Sequence, residues 1–417
     1  MFICGAFWPV VCFAVTGGFH PSRNPMPDTC LYFQVHQPNR LLPREMIRHG
    51  HGLHFEDDAM NAAILGRVAD ECYLPANRMF KRLIEKHAGR FRMALSISGT
   101  AIEQMERHRP DVLESFRELV AGGGVELLAE TYYHSLAFMH SNKEFDRQVD
   151  LHLDKIEEVF HVRPRVFRNT ELIYNDAIAA KAETMGFDGI IAEGVEPNLA
   201  GQSPNHLYRA PETARIKTLL RNIRLSDDLG FRISDPNWIE YPLTPEKFAT
   251  WLSGTSGDVV NLFMGYETIG MERPGGVEIQ RFWEALPDAV EAAGLQWVTP
   301  SEAVDLYRAS CEYPCRLLTS WTDHERDLSA WMENSMQRES LYRVHALEKQ
   351  IMASDDPELL HVWAHMQTSN HFHWMSTKGT VEGGDIAMPY RDAVDAHERF
   401  MAVLDRLQKL AATMRAA

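Results

Sequence analysis

From Cys30 onward, short apolar runs alternate with stretches whose apolar residues recur every three or four positions. The short runs predict strands at 30–36, 91–98, 125–130, 166–171, 189–193, 219–226, 259–267 and 295–299. Between them the spacing turns helical. Ile102, Met105, Leu113, Phe116 and Val120 share one face, and Phe145, Val149, His152 and Ile156 share another. Gly122 to Gly124 close the first of these helical stretches, and they precede a strand rather than opening a helix, so they do not read as a phosphate loop. Strand and helix alternating seven or eight times predict a parallel sheet, and at this length a barrel rather than an open sheet.

After about residue 310 the strand pattern stops. Leu328, Trp331, Met332 and Met336 form a helical stripe, as do Phe400, Leu404, Leu407 and Ala411. Pro357, preceded by Asp355 and Asp356, reads as the first turn of another helix. The expected organisation is therefore an α/β barrel over residues 29–310 and a helical bundle over 311–417. Residues 1–28 stand apart as an N-terminal extension. Phe2 to Gly18 is nearly unbroken apolar sequence, but no Lys or Arg precedes it, Pro9 interrupts it, and Met26 stands just before the first strand. This segment reads as a mis-set start in preference to a weak signal-like segment.

Charge narrows the partners. The chain has 58 acidic and 42 basic residues, net −16, which excludes a generic phosphate-backbone binder and predicts no nucleic-acid partner. With 9 Trp, 12 Tyr, 20 Phe and 19 His, it suits a neutral polyhydroxylated ligand better than an anionic one. Six scattered cysteines make no disulfide framework, and Cys311 and Cys315 have no second pair to complete a zinc site. Reduced thiols point to a cytoplasmic protein, with secretion the alternative if residues 1–25 act as a signal; no cofactor, metal or membrane partner is expected.

In a parallel barrel the chemistry gathers where strands end. The predicted strand ends carry His36 with Gln37, Ser98, Glu130, Glu171, Glu193, Asp227 with Asp228, and Glu267. A ring of carboxylates with a histidine is costly to pack and so points to function. Such a ring serves either metal chemistry or glycoside hydrolysis, which needs two carboxyls flanking the bond and aromatic platforms for sugars. A metal-dependent deacetylase would show acidic pairs after the first strand, yet that strand ends QVHQP. His361 and His365 stand four apart on a predicted helix far from the strands, and read as a packed or solvated helix pair. Trp238, Trp283, Trp297 and Trp374 are candidate sugar platforms, with Trp374 favoured for its NHFHW setting.

Five segments then carry a resemblance: QVHQPNRL (34–41), GGGVELLAETYYHSLAF (122–138), FRNTELIYND (167–176), NLFMGYETIG (261–270) and LQWVTPSEA (295–303). In this order and spacing they resemble the motifs of glycoside hydrolase family 57, most nearly its α-amylase-type branch. ERDLSAWMENSMQ (325–337) and QTSNHFHWMSTK (367–378) resemble that branch too. The resemblance implies an incomplete TIM-type (β/α)7 barrel with a helical C-terminal domain, and a retaining mechanism on α-glucans. It makes Glu171 the nucleophile and places His36, Glu126 and Glu267 at the substrate, with Glu130 and Trp374 added from the readings above.

One position departs from the family pattern. The general acid/base Asp expected two residues before Glu267 is Gly265, and NLF and YET on either side hold the register. Met271, Glu272 and Arg273 replace the branch's usual residues, and Asn370 stands at what resembles an Asp position. A retaining glycosidase needs both carboxyls, and loss of a positioned general acid costs about 10²–10⁴ in rate. The expectation is an α-glucan or maltooligosaccharide binder with weak or no hydrolysis. The alternative is an active α-glucan hydrolase or 4-α-glucanotransferase that uses Glu267, which strand alternation would place on the same face as position 265, or another substitute acid.

Overall fold

The computed structural model describes residues 26–50, 52–270, 276–309, 311–378 and 388–414. Most of the N-terminal extension and the Met271–Arg273 departure lie outside the described residues. Seven strands run parallel: β1 (Asp28–Val35), β2 (Met93–Ile97), β3 (Val125–Leu127), β4 (Val166–Arg168), β5 (Gly189–Glu193), β7 (Lys217–Arg221) and β8 (Val259–Gly265). Two short strands outside this set, β6 (Leu207–Arg209) and β9 (Cys311–Glu312), add an antiparallel and a parallel pairing on the β7 side. The order β3-β2-β1-β8-β7-β5-β4 closes through a parallel bridge between Ala129 and Phe167. The result is the seven-stranded barrel that the sequence implies. The run at 295–299 is no strand, and contributes a single bridge from Trp297 to Thr29.

Alternation along β1 explains the two-layered core. Leu31, Phe33 and Val35 face outward, where Phe33 meets Phe80 and Trp283 of the surrounding helices. Tyr32 points inward and stacks on Phe263, its register partner on β8, with ring centroids 4.7 Å apart. Gln34 and Gly265 are partners two residues further along, so position 265 also faces the lumen.

Beyond the barrel lie helices at Ser335–Ala346, Pro357–His365 and Ala393–Met414. Phe400, Leu404, Leu407 and Ala411 are fully buried, as their spacing predicts, and Asp356 caps the helix that Pro357 begins. These helices share one continuous core with Phe167 and Ile190 of the barrel. Gly123 and Gly124 take positive φ (72° and 96°), which is how the glycine run ends the helix Pro110–Ala121. Cys30 and Cys315 are free thiols. Among the described residues, no helix is long and apolar enough to cross a membrane.

Candidate active site

The strand expected over 166–171 stops at Arg168. The chain then makes a 3-10 turn, Thr170–Leu172, in which the side chain of Asn169 donates to the carbonyl of Ile173 (2.9 Å). Glu171 sits in this turn at φ 54°, ψ 28°, and Leu172 follows at φ 51°. Left-handed backbone at two consecutive side-chain-bearing residues is strained, and such strain gathers at functional sites. Its effect here is to aim the carboxylate of Glu171 at two other segments.

On one side the indole Nε1 of Trp321 donates to Oε2 (2.8 Å). On the other, His134 Nε2 is 3.3 Å from Oε1, and Ser369 Oγ is at the same distance. His134 is fully buried and donates from Nδ1 to Glu130 Oε2 (2.7 Å), so the imidazole lies between two carboxylates. Arg168 lies 3.4 Å from Glu130 and donates to Gln34, whose amide nitrogen is 3.2 Å from His134. Burial is the largest influence on Glu171 and pushes its carboxyl up. His134, Arg168 and the Trp321 N–H outweigh it, and hold the pKa down at about 2. Burial likewise opposes protonation of His134, but the two flanking carboxylates raise its pKa. The arrangement keeps a largely buried carboxylate ionised, the state a nucleophile needs.

His36 extends the same cluster. Its ring stacks on His134 with centroids 4.1 Å apart, Nδ1 meets Ser98 Oγ at 2.7 Å, and Nε2 meets Asn370 Oδ1 at 2.8 Å. Burial, with His134 beside it, lowers the His36 pKa well below the ordinary value. A neutral ring linking Ser98 to Asn370 fits a positioning and hydrogen-bonding role. Asn370, singled out in the sequence for its departure, is thus a contact of the site.

Facing this cluster, Gly265 ends β8 with φ −65° and ψ 144°, a backbone open to any residue. Below it on the same strand face, the Phe263 ring packs against Trp321 (5.3 Å) and lies under the Arg168 guanidinium (5.4 Å). Position 265 therefore lies on the strand face whose Phe263 meets Trp321 and Arg168, and glycine places no side chain there.

Glu267 lies elsewhere than strand alternation predicts. The strand stops at Gly265, Tyr266–Ile269 form a 3-10 turn, and the hydroxyl of Thr268 donates to the Gly265 carbonyl (2.7 Å). The rise of two strand residues no longer applies, and Glu267 accepts a hydrogen bond from Tyr73.

Two further residues expected at the substrate are held by other parts of the fold. Glu126 accepts from the Ser301 backbone (2.9 Å) and hydroxyl (2.5 Å) near Thr299 and Glu302, among residues that lead into the strands rather than leave them. Trp374 is 3 % exposed and packs edge-on against His371 and Tyr390, so it is core rather than an open sugar platform. Glu193 and Asp227 form a separate charged cluster. Arg221 joins them at 3.1 and 2.5 Å, and its guanidinium lies over the Trp321 ring at 5.7 Å, propping the indole that binds Glu171.

The sequence reading missed His134, Trp321 and Ser369. His134 lies within the quoted YYHS segment, four residues after a buried glutamate, whereas Trp321 belongs to an SWTD stretch with no periodicity to draw attention.

Residues 30–314 match the family model described as Glycosyl hydrolase family 57. A protein of Methanocaldococcus jannaschii described as "Putative alpha-amylase" is 39 % identical over 361 residues, which cover 83 % of this chain and 76 % of that protein. Among solved structures, a branching enzyme of the same family from Thermococcus kodakaraensis superposes with TM-score 0.65 at 12 % identity, covering 92 % of this chain and 90 % of the enzyme. The 4-alpha-glucanotransferase of Thermococcus litoralis gives TM-score 0.61 at 15 % identity, covering 84 % of this chain but only 56 % of that longer enzyme. At these identities the two structures share its fold. The sequence match over most of the barrel, together with the 39 % relative, shows that this chain belongs to glycosyl hydrolase family 57.

Proposed function

We propose that this protein binds α-glucan or maltooligosaccharide in the cleft around Glu171, and that it hydrolyses unactivated glucan weakly or not at all. The observation that carries this reading is the pairing of Glu171 with Gly265. The carboxylate is ionised and oriented by His134 and Trp321, while the lumen-facing position opposite has no side chain. In a retaining reaction, Glu171 would attack the anomeric carbon and a second carboxyl about 5–5.5 Å away would protonate the leaving oxygen. Glycine supplies no proton, so a poor leaving group stays attached.

The test uses an α-maltooligosaccharide with an activated aryl leaving group, which departs without acid, and azide, which replaces the activated water of the second step. Wild type is expected to release the aryl group, to form α-glycosyl azide by two successive inversions, and to leave ordinary maltooligosaccharides intact. Glu171→Gln abolishes the aryl release, and Gly265→Asp restores cleavage of ordinary substrate. Cleavage of unactivated glucan by wild type, lost in Glu171→Gln, would instead establish an active hydrolase or 4-α-glucanotransferase with a substitute acid. Glu267 is then the first residue to replace, although its engagement by Tyr73 argues against it.

A further inference from the structure

On the outside of the barrel, three side chains from two distant helices converge. His361 and His365 stand one turn apart on the helix Pro357–His365, and their Nε2 atoms are 3.1 Å apart. Glu103, on the helix Gly99–His108 that follows β2, brings Oε2 to 3.0 Å from His365 Nε2. All three ligand atoms lie within 4.8 Å of one another. Ligands at about 2.0–2.1 Å from a tetrahedral ion are separated by about 3.3 Å, so two of the three spacings already match and the third, within 4.8 Å, closes by side-chain rotation.

The surroundings match what a metal centre requires. Glu103 Oε1 accepts from Tyr132 (2.7 Å), which fixes the carboxylate and leaves Oε2 to bind. The Nδ1 of His361 is 3.2 Å from the Tyr133 hydroxyl, which can take the Nδ1 proton and so free Nε2 as a donor to metal. Behind His365, the Asn39 amide nitrogen lies 3.1 Å from Nδ1 and donates to Glu56 (2.6 Å), whose carboxylate is 3.8 Å from Nδ1 and able to accept that proton. In front, a pocket of about 440 Å³, lined by Glu56 and Arg107 among others, leaves room for a fourth ligand.

We propose that Glu103, His361 and His365 form a zinc site, with three protein ligands and one position open to this pocket. Two imidazoles and one carboxylate are a borderline-hard donor set that suits Zn²⁺ better than Ca²⁺ or Mg²⁺, which prefer oxygen ligands throughout. The site clamps a barrel helix to a C-terminal helix. Through Tyr132 and Tyr133 it also braces the loop whose next residue, His134, holds Glu171.

The test is titration of untagged, chelator-stripped, full-length protein with Zn²⁺ by calorimetry, and with Co²⁺ by visible absorption. Wild type is expected to bind one ion per chain and to give the intense ligand-field bands of four-coordinate Co²⁺. Affinity falls at least tenfold in Glu103→Gln, His361→Ala and His365→Ala, and stays unchanged in His108→Ala, which lines the same pocket. His361 is exposed, so its variant reports binding even where loss of the buried His365 disturbs folding. An absence of stoichiometric binding to wild type, or equal affinity in wild type and His361→Ala, overturns the proposal and leaves an ordinary histidine–glutamate ion pair.

Discussion

Replacing His134 with Gln removes the imidazole between Glu130 and Glu171 while keeping a polar side chain of similar reach. In the wild type, Glu171 falls from its ordinary 4.5 to about 2. One pKa unit is worth 1.36 kcal/mol, so the environment favours the ionised form by roughly 3 kcal/mol. His134 shares in that energy and is counted within it. The sign follows from linkage. A depressed carboxyl pKa stabilises the fold above pH 4.5, and that contribution fades as the pH falls through 2. In His134→Gln, burial, the largest single influence, is opposed only by Arg168 and the Trp321 N–H, so the Glu171 pKa is expected to return to 4.5 or above. The assay is the rate of aryl release from an activated α-maltooligosaccharide, a step that needs only ionised Glu171, followed from pH 3.5 to 8. Wild type should be flat on the acid side. The variant should lose about half its rate at its raised pKa and roughly tenfold for each pH unit below it. An acid limb near 4.5 in wild type, or one that does not move in the variant, refutes the electrostatic account of Glu171.

Trp321→Phe keeps a ring against Phe263 but deletes the indole N–H, a hydrogen bond to a charged acceptor worth about 1.5–3 kcal/mol, so the same acid limb should rise by about 1–2 units. Glu126→Ala should lower stability in urea by about 1–3 kcal/mol by stranding the Ser301 donors, with maltooligosaccharide affinity by calorimetry unchanged. Trp374→Ala should cost about 3–5 kcal/mol in the same denaturation experiment, as loss of a buried indole does. If Trp374→Ala instead stays stable and loses sugar affinity, the indole is a platform after all.

The repeating pattern was legible because the barrel buries its strands on two sides, and that leaves apolar runs that local sequence reveals. Phe400, Leu404, Leu407 and Ala411 were equally plain, since a helix has one period and one buried face. Where strands end was harder to read. The runs through Glu171 and Glu267 look continuous, but side chains of Asn169 and Thr268 bond to nearby carbonyls and turn the chain early. That error matters for Glu267, whose expected direction rested on alternation. Glu171 was found by motif resemblance, while its partners were not. Trp321 and Ser369 reach it from 150 and 198 residues away, and only the folded chain brings them together.

That separation sets an order of events during synthesis. Glu171 leaves the ribosome long before Trp321, Ser369 and Asn370, the groups that orient its carboxylate and His36. At about 5–20 residues per second, the roughly 200 residues between Glu171 and Ser369 take about 10–40 s to appear. Throughout that interval the nascent chain carries the Glu171 carboxylate without its C-terminal partners. Orientation of the Glu171 carboxylate therefore arrives as a late step, timed by the emergence of the segments around Trp321 and Ser369 rather than by closure of the barrel.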